Sequence, residues 1–172
     1  MTRILGIDPG SQVTGYGVID MAGNRATHVA NGSIPIRDDE LGAKLRTIFE
    51  AIHAIAGTFQ PNEVSVERVF MHRNPDSALK LGQARGAAIV ACATQSLPIY
   101  EYTPTEIKQA IVGRGNAAKV QVQHMIKVLL CLNETPQADA ADALAIALGH
   151  GYRRQGLLRM AGVRGSRGGR LL

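Results

Sequence analysis

Four acidic residues stand at positions where carboxylates could act together in chemistry. Asp8 ends the apolar run "LGID" and is followed by Pro-Gly, and Glu67 lies near the end of the alternating segment "EVSVERVF". Asp139 and Asp142 are three residues apart in "ADAADALA", so on a helix they would project from one side, about 60° apart around the axis. If the fold gathers these four side chains in one cleft, their charges raise one another's pKa values unless a cation shares the site.

An all-oxygen cluster of this kind predicts Mg²⁺ or Mn²⁺, because no His or Cys pair in the sequence has the spacing of a zinc site. Two such ions, roughly 4 Å apart, suit the hydrolysis of a phosphodiester bond. A structural alternative stays open for each acid alone, since an acid can solvate a turn or stabilise a helix N-terminus. We expect Gly15 and Gly17 to let the backbone run close to metal or phosphate. His72, His124 and His150 are expected to be surface or helix residues rather than bases.

The elements that would position these acids follow from the spacing of apolar residues. Strands are predicted at 3–8, 15–20 and about 27–36 as an antiparallel meander, with further strands at 63–70 and in "PIYEY". The apolar spacing predicts a helix from Leu41 to Ile55, with Asp38 and Asp39 as candidate N-caps and with Gly57 and Pro61 ending it. A second helix is predicted from Pro75 to about Gln95, with Asn74 as its N-cap. Three more follow: one after the capping box Thr103–Glu106, one over about 117–130, and an Ala-rich final helix. This order predicts an α/β fold, with a mixed sheet covered by helices on both faces. Asp8 and Glu67 would then lie at the carboxyl ends of strands, where such folds place their sites.

Charge is unevenly distributed along the 172 residues, whose formal net charge is +5. Residues 68–133 carry eight basic and three acidic side chains, and residues 153–172 carry six arginines and no acid. This asymmetry favours a polyanion as partner. We expect one domain over residues 1–152, followed by a disordered Arg- and Gly-rich tail over residues 153–172.

The cysteine and hydropathy patterns predict a soluble protein of a reducing cytoplasm. Cys92 and Cys131 lie far apart in apolar, helix-like runs, and we expect small buried hydrophobes rather than a disulfide. No apolar run approaches the roughly 18 residues of a membrane span, and no signal peptide is recognised at the start. No membrane partner is therefore expected.

Four segments, in this order and spacing, closely resemble the RuvC family of bacterial Holliday junction resolvases. They are "ILGIDPGSQVTGYGVID", "VERVFMHRNPDSALKLGQARG", "VGRGNAAKVQVQHM" and "PQADAADALAIA". The resemblance covers about residues 3–150 and implies a ribonuclease H-like five-stranded sheet, a homodimer, and Mg²⁺-dependent nicking of two strands placed symmetrically across a four-way DNA junction. The products would carry 5′-phosphate and 3′-hydroxyl ends. The resemblance also implies the RuvA–RuvB branch-migration complex as a partner.

The resemblance implies roles for individual residues. Asp8, Glu67, Asp139 and Asp142 match the family's metal-binding catalytic carboxylates, which are the same four acids reached above from their chemistry. Lys108 and Lys119 match catalytic basic positions near the scissile phosphate. Phe70 matches an aromatic residue used against unstacked bases, an interaction available to any base. Further DNA contacts are expected from basic residues of these segments, namely Arg73, Lys80, Arg85 and Arg114.

Other functions stay open at this point. A ribonuclease H acting on an RNA–DNA hybrid would use the same metal chemistry, and a noncatalytic DNA-binding module would keep the fold without turnover. The segment "GIDPGSQVTGYGV" also resembles the first phosphate loop of actin-like ATPases and sugar kinases, but the sequence has no second copy of this loop. Symmetric cutting requires two sites related by a twofold axis. The small-residue helix from Pro75 to Gln95 is our candidate for that dimer contact.

Overall fold

The computed structural model describes residues 1–68 and 74–165. Within these ranges the chain forms five strands and five helices. The strands are β1 Thr2–Asp8, β2 Val13–Ala22, β3 Arg25–Pro35, β4 Glu63–Glu67 and β5 Ile99–Tyr102. The helices are α1 Leu41–Phe59, α2 Pro75–Ala93, α3 Pro104–Val112, α4 Lys119–Leu129 and α5 Ala138–Gly165.

The strands form one mixed sheet in the order β3-β2-β1-β4-β5. β2 pairs antiparallel with both β1 and β3, which confirms the predicted meander. β4 lies parallel to both β1 and β5. Because β1 and β4 run in the same direction, their last residues, Asp8 and Glu67, lie at the same edge of the sheet, as predicted.

Hydrophobic side chains cover both faces of the sheet. Ile4 of β1 belongs to a core with residues of α3, α4 and α5, whereas Leu5 and Ile7 belong to a second core with residues of α1 and α2. This split follows from the alternation of side chains along a strand. The predicted α/β fold with helices on both faces is confirmed.

Small residues allow α5 to lie directly on β1 and β2. A Cβ atom on Gly6 would lie 2.1 Å from the backbone oxygen of Ala143, and one on Gly17 would lie 2.8 Å from the side chain of Leu144. Any side chain at these positions would push the helix off the sheet. The prediction for Gly17 is therefore wrong, because this residue makes room for α5 rather than for metal or phosphate.

The start and end of α1 differ from the prediction. Glu40 is the N-cap, and its carboxylate accepts hydrogen bonds from the backbone amides of residues 42 and 43. Asp38 instead accepts a hydrogen bond from the hydroxyl of Thr47 at 2.8 Å. Gly57 lies inside the helix, which ends where Gln60 adopts a left-handed conformation with φ of 48°. The prediction of Asp38 and Asp39 as N-caps is wrong, because the carboxylate of Glu40 accepts the hydrogen bonds from the first backbone amides of the helix.

The expected disorder after residue 152 is wrong for residues 153–165, because α5 continues to Gly165. Arg153 Nη2 lies 3.1 Å from Glu106 Oε1, and Arg154 Nε lies 2.9 Å from Glu63 Oε1. These ion pairs tie the helix to α3 and β4, which local composition does not reveal. The division of the chain at residue 152 stays a prediction, and residues 166–172 lie outside the described ranges.

The two cysteines differ in environment. Cys92 is buried, as expected, whereas Cys131 is exposed just after α4, where its φ is 51°. Both thiols are free in the described part of the chain. No helix within the described residues is long and apolar enough to cross a membrane.

Candidate active site

The predicted acids come from three elements that meet at the carboxyl edge of the sheet. Asp8 ends β1 and Glu67 ends β4. Each lies one residue beyond the last pair between these two strands, Ile7 with Val66. Asp139 and Asp142 lie at the start of α5, which crosses this edge. Parallel strands and one helix start thus bring together four acids that are up to 134 positions apart in the sequence.

A glycine brings the start of α5 close to Asp8. Gly15 of β2 is the pairing partner of Asp8. A Cβ atom on Gly15 would lie only 2.1 Å from the backbone oxygen of Asp139, so no other residue fits here. The helix can therefore place Asp139 beside the end of β1. As with Gly17, this close approach serves α5 and corrects our expectation that Gly15 faces metal or phosphate.

The turn after Asp8 is held by Thr14, which the sequence analysis missed. The fully buried Thr14 hydroxyl donates to the backbone oxygen of Gly10 at 3.2 Å and accepts from its amide at 3.3 Å. One side chain thereby satisfies both polar groups of a turn residue. The Pro-Gly turn after β1 is consequently fixed, and with it the end of the strand that carries Asp8.

Electrostatics show that the acids share one environment. The pKa of Asp8 is raised to about 7, first by burial and then by the negative charges of Asp142, Glu67 and Asp139. The positive charge of Lys119 opposes this shift. Burial and neighbouring negative charge both disfavour the ionised carboxyl group of Asp8, and a bound cation would favour it.

Two lysines, Lys108 and Lys119, line a cleft of about 240 Å³ together with Glu67 and Asp142. Lys119, the first residue of α4, places its Nζ 2.5 Å from Asp142 Oδ2, and this hydrogen bond raises the pKa of the lysine. Lys108 of α3 lines the same cleft and is half-buried. The remaining lining is largely apolar and consists of Pro104, Ile107, Val122, Ala145 and Ile146. The lining of the cleft thus combines two acidic, two basic and five apolar residues.

The donor set fits a hard divalent cation, because it consists of carboxylates alone. Within residues 1–68 and 74–165, no three His, Cys, Asp or Glu side chains converge closely enough to hold an ion as they stand. The four acids thus lie around one end of the sheet, and their assignment as metal ligands stays a prediction.

Comparisons with known proteins show the family of this chain. The model of the family described as "Crossover junction endodeoxyribonuclease RuvC" matches residues 4–150. The chain belongs to the RuvC family. A relative from Chromohalobacter salexigens, described by the same name, is 56% identical over 155 residues, which cover 90% of this chain and 83% of the relative. Another from Aeromonas salmonicida is 54% identical over 162 residues, or 94% of each chain.

A solved RuvC structure has the same fold. Thermus thermophilus RuvC in complex with a Holliday junction substrate matches with a TM-score of 0.86 and 33% identity. The match covers 91% of this chain and 96% of the other. The fold is therefore ribonuclease H-like, as the resemblance implied.

The other basic residues predicted to contact DNA lie in different settings. Lys80 is exposed on α2 and forms an ion pair with Asp76 at 2.7 Å. Arg114 is exposed in the loop between α3 and α4. Phe70 and Arg73 lie outside the described residues. The role of these RuvC residues in DNA binding stays a prediction.

Arg85 and His150 have contacts that the sequence analysis did not foresee. Arg85 lies behind the site, where its guanidinium contacts the end of β4. His150 is 1% exposed on α5, and its Nε2 lies 2.8 Å from Glu63 Oε2. It is a helix residue, as expected, but it is buried in a polar cluster. No local pattern signals either contact, because the partners are 18 and 87 residues away.

Proposed function

We propose that this chain resolves four-way DNA junctions by metal-dependent hydrolysis of two symmetrically placed phosphodiester bonds, leaving 5′-phosphate and 3′-hydroxyl ends. The observation that carries this proposal is the meeting of the ends of β1 and β4 with the start of α5, which brings four acids together beside a cleft that Lys108 and Lys119 line. The raised pKa of Asp8, due first to burial and then to the other three acids, agrees with this arrangement. Such a cleft can take up divalent cations and a phosphate together. Membership of the RuvC family supports the choice of junction DNA as substrate, since a related RuvC was solved with a Holliday junction.

The metal of this metal-dependent family would be held by Asp8, Glu67, Asp139 and Asp142. We infer Mg²⁺, with Mn²⁺ able to substitute, at two ions per site, because carboxylates suit these ions and pairs of them suit phosphodiester hydrolysis. When bound, the ions would activate the attacking water and stabilise the leaving oxygen. Asp8 then keeps its charge near neutral pH, since added positive charge lowers a carboxyl pKa.

The two lysines would hold the scissile phosphate. Lys119 contacts Asp142 at 2.5 Å, so it is placed beside the acids and carries a full positive charge. Its pairing with Asp142 is partly exposed and therefore exchangeable. Lys108 lines the other part of the same cleft. A phosphate between these side chains would lie directly against the carboxylates.

Symmetric cutting would require a homodimer, and the outward face of α2 supports one. Leu79 and Val90 are 62% and 52% exposed, and they lie on the same side of the helix as Gly82 and Gly86. Among residues 1–68 and 74–165, no atom outside α2 lies within 4 Å of a Cβ built on either glycine. An exposed apolar stripe with small residues permits close packing against a second copy. The RuvA–RuvB complex as partner and the cytoplasm as location rest on family resemblance.

The test is a nicking assay on synthetic DNA. Purified protein with Mg²⁺ is incubated with an end-labelled four-way junction, a matched linear duplex and an RNA–DNA hybrid. We expect paired, symmetric nicks confined to the junction. Cutting of the hybrid alone would instead establish a ribonuclease H, and tight junction binding without cutting would establish a noncatalytic module.

A further inference from the structure

The guanidinium group of Arg85 connects α2 to the carboxyl end of β4. Its Nε donates a hydrogen bond to the backbone oxygen of Glu67 at 3.0 Å. Its Nη2 lies 2.8 Å from Glu101 Oε1, at the end of the neighbouring strand β5. The side chain of Arg85 is 19% exposed, so these contacts occupy a largely buried group.

At Glu67, β4 is paired with β5 but no longer with β1. The register between β1 and β4 ends with Ile7 opposite Val66, one residue before Glu67. On the other side β5 continues, and the amide of Arg68 donates to the backbone oxygen of Tyr102 at 2.8 Å. At a strand end, a backbone carbonyl oxygen can accept a donor from another element. Arg85 supplies that donor, and its charge makes the hydrogen bond stronger than a neutral one.

Glu101 holds the guanidinium in place. Its Oε1 contacts Arg85, and its Oε2 lies 3.7 Å from Nε of Arg68. The carboxylate of Glu101 thereby offsets the charge of Arg85 and fixes the direction of its planar group. Arg85 differs in this respect from Lys108 and Lys119, which face the cleft.

We propose that Arg85 is a positioning residue, which holds the backbone of Glu67 so that its carboxylate stays in register with Asp8, with Glu101 keeping Arg85 in place. This inference rests on the proposed function, because it assigns Glu67 to the metal-binding acids. Displacements of about 1 Å can cost a site about 100-fold in rate, so a strand end that carries one ligand requires support. Lysine cannot replace Arg85, since one ammonium group does not span the Glu67 carbonyl and the Glu101 carboxylate with the planar geometry of a guanidinium.

The test separates this role from a DNA contact, which the sequence had suggested for Arg85. The full-length variants are Arg85→Lys, Arg85→Gln and Glu101→Gln. Arg46→Gln removes an exposed arginine of α1 and serves as the matched charge control. Three quantities are measured: Mn²⁺ binding without DNA, by electron paramagnetic resonance of the free ion; junction affinity in EDTA over a series of NaCl concentrations; and single-turnover nicking with saturating protein.

We expect both Arg85 variants to bind Mn²⁺ more weakly and to nick more slowly, by roughly 10- to 100-fold, as for other residues that orient metal ligands. Glu101→Gln should shift both quantities in the same direction by a smaller factor. Junction affinity and its salt dependence should match those of wild type and Arg46→Gln. Should Arg85→Gln fail to fold, Arg85→Lys and Glu101→Gln carry the same comparison.

Two results would overturn the proposal. One is unchanged Mn²⁺ binding in all three variants. The other is a DNA-contact pattern, in which Arg85→Gln weakens junction binding and lowers the salt slope by about 1, Arg85→Lys behaves as wild type, and Glu101→Gln tightens binding. If wild type nicks no junction, the proposed function fails, while the Mn²⁺ measurements still decide the role of Arg85.

Discussion

The two ends of β4 each carry a glutamate, and the two glutamates have opposite surroundings. Glu63 starts the strand and Glu67 ends it, so their side chains lie on the same face of the sheet about 13 Å apart. Around Glu63, His150 Nε2 contacts one carboxylate oxygen at 2.8 Å and Arg154 Nε contacts the other at 2.9 Å. Both oxygens are thus satisfied by donors from α5.

Three further acids, Asp8, Asp139 and Asp142, lie near Glu67. Burial, and then the charges of Asp142, Glu67 and Asp139, raise the pKa of Asp8 to about 7. Lys119 contacts Asp142 and only partly offsets this charge. The same strand thus starts at a glutamate whose two carboxylate oxygens have donors and ends, on the same face of the sheet, among a group of acids.

The different surroundings of Glu63 and Glu67 indicate different roles, one in stability and one in function. A buried acid with a full set of donors fixes two elements against each other, whereas acids that repel one another cost folding free energy and persist for their chemistry. The Glu63 cluster therefore serves to hold α5 on the sheet. The cleft at Glu67 is the part of the chain where a cation would be gained.

The largest expected effect is on nicking. Asp8→Asn should lower the nicking rate by ~10³-fold, because loss of a metal ligand removes several kcal/mol of transition-state stabilisation. Glu63→Gln, at the satisfied end, should keep nicking close to wild type at a temperature where it is folded. Both should keep junction binding. A gel assay with the labelled junction measures both quantities, and equal losses in the two variants would erase the functional difference between the clusters.

Stability in EDTA should respond in the reverse order. Glu63→Gln should lower the free energy of unfolding by roughly 2–4 kcal/mol, because it removes the charge that pairs with Arg154 inside the protein. Asp8→Asn should raise it by on the order of 1–3 kcal/mol at pH 8, since it removes a buried charge from a repulsive cluster. Urea unfolding followed by circular dichroism measures both. Destabilisation by Asp8→Asn would mean that the acids are not in conflict without metal.

A smaller effect concerns pH and His150. Burial lowers the pKa of His150 against the opposing influence of Glu63, and Arg154 lowers it further. The neutral ring accepts from the Tyr102 hydroxyl at 2.7 Å, stacks on Tyr100 and donates to Glu63. Because the unfolded chain takes up a proton near pH 6.5 before the folded one does, stability should fall as the pH drops below that value.

The Tm of wild type should therefore fall more between pH 8 and pH 5 than that of His150→Asn, which has no titrating ring. Differential scanning fluorimetry in EDTA at several pH values measures the difference. The prediction fails if the two proteins lose Tm in parallel over this range. Such a result would mean that the ring is not held neutral by burial.

The sequence predicted what depends on local periodicity. Asp8 and Glu67 were assigned to strand ends because apolar alternation stops there, and the small residues of "ADAADALA" indicated a helix close to the sheet. The cap of α1 at Glu40 and the role of Gly15 were missed, because several residues compete for one cap and a close approach depends on the partner element. The fold was thus accessible from pattern and resemblance, whereas the metal-binding role of the four acids stays a prediction.

Long-range polar contacts were not accessible in this way. Arg153 and Arg154 stand in a segment that composition assigned to disorder, yet they lie in α5 and form ion pairs with α3 and β4. The contact of Arg85 with the backbone of Glu67 likewise joins elements whose packing no local pattern specifies. Such contacts become visible only once the topology is known.

The most direct test of the central claim is the rise in Tm on adding Mg²⁺. Wild type, Glu63→Gln and the double variant Asp8→Asn/Asp142→Asn are melted in EDTA and then in excess Mg²⁺. A cation that binds the folded acids stabilises the protein by mass action, so wild type and Glu63→Gln should gain several degrees and the double variant almost none. An equal gain in all three proteins would contradict the account, because it would place the metal away from the four acids.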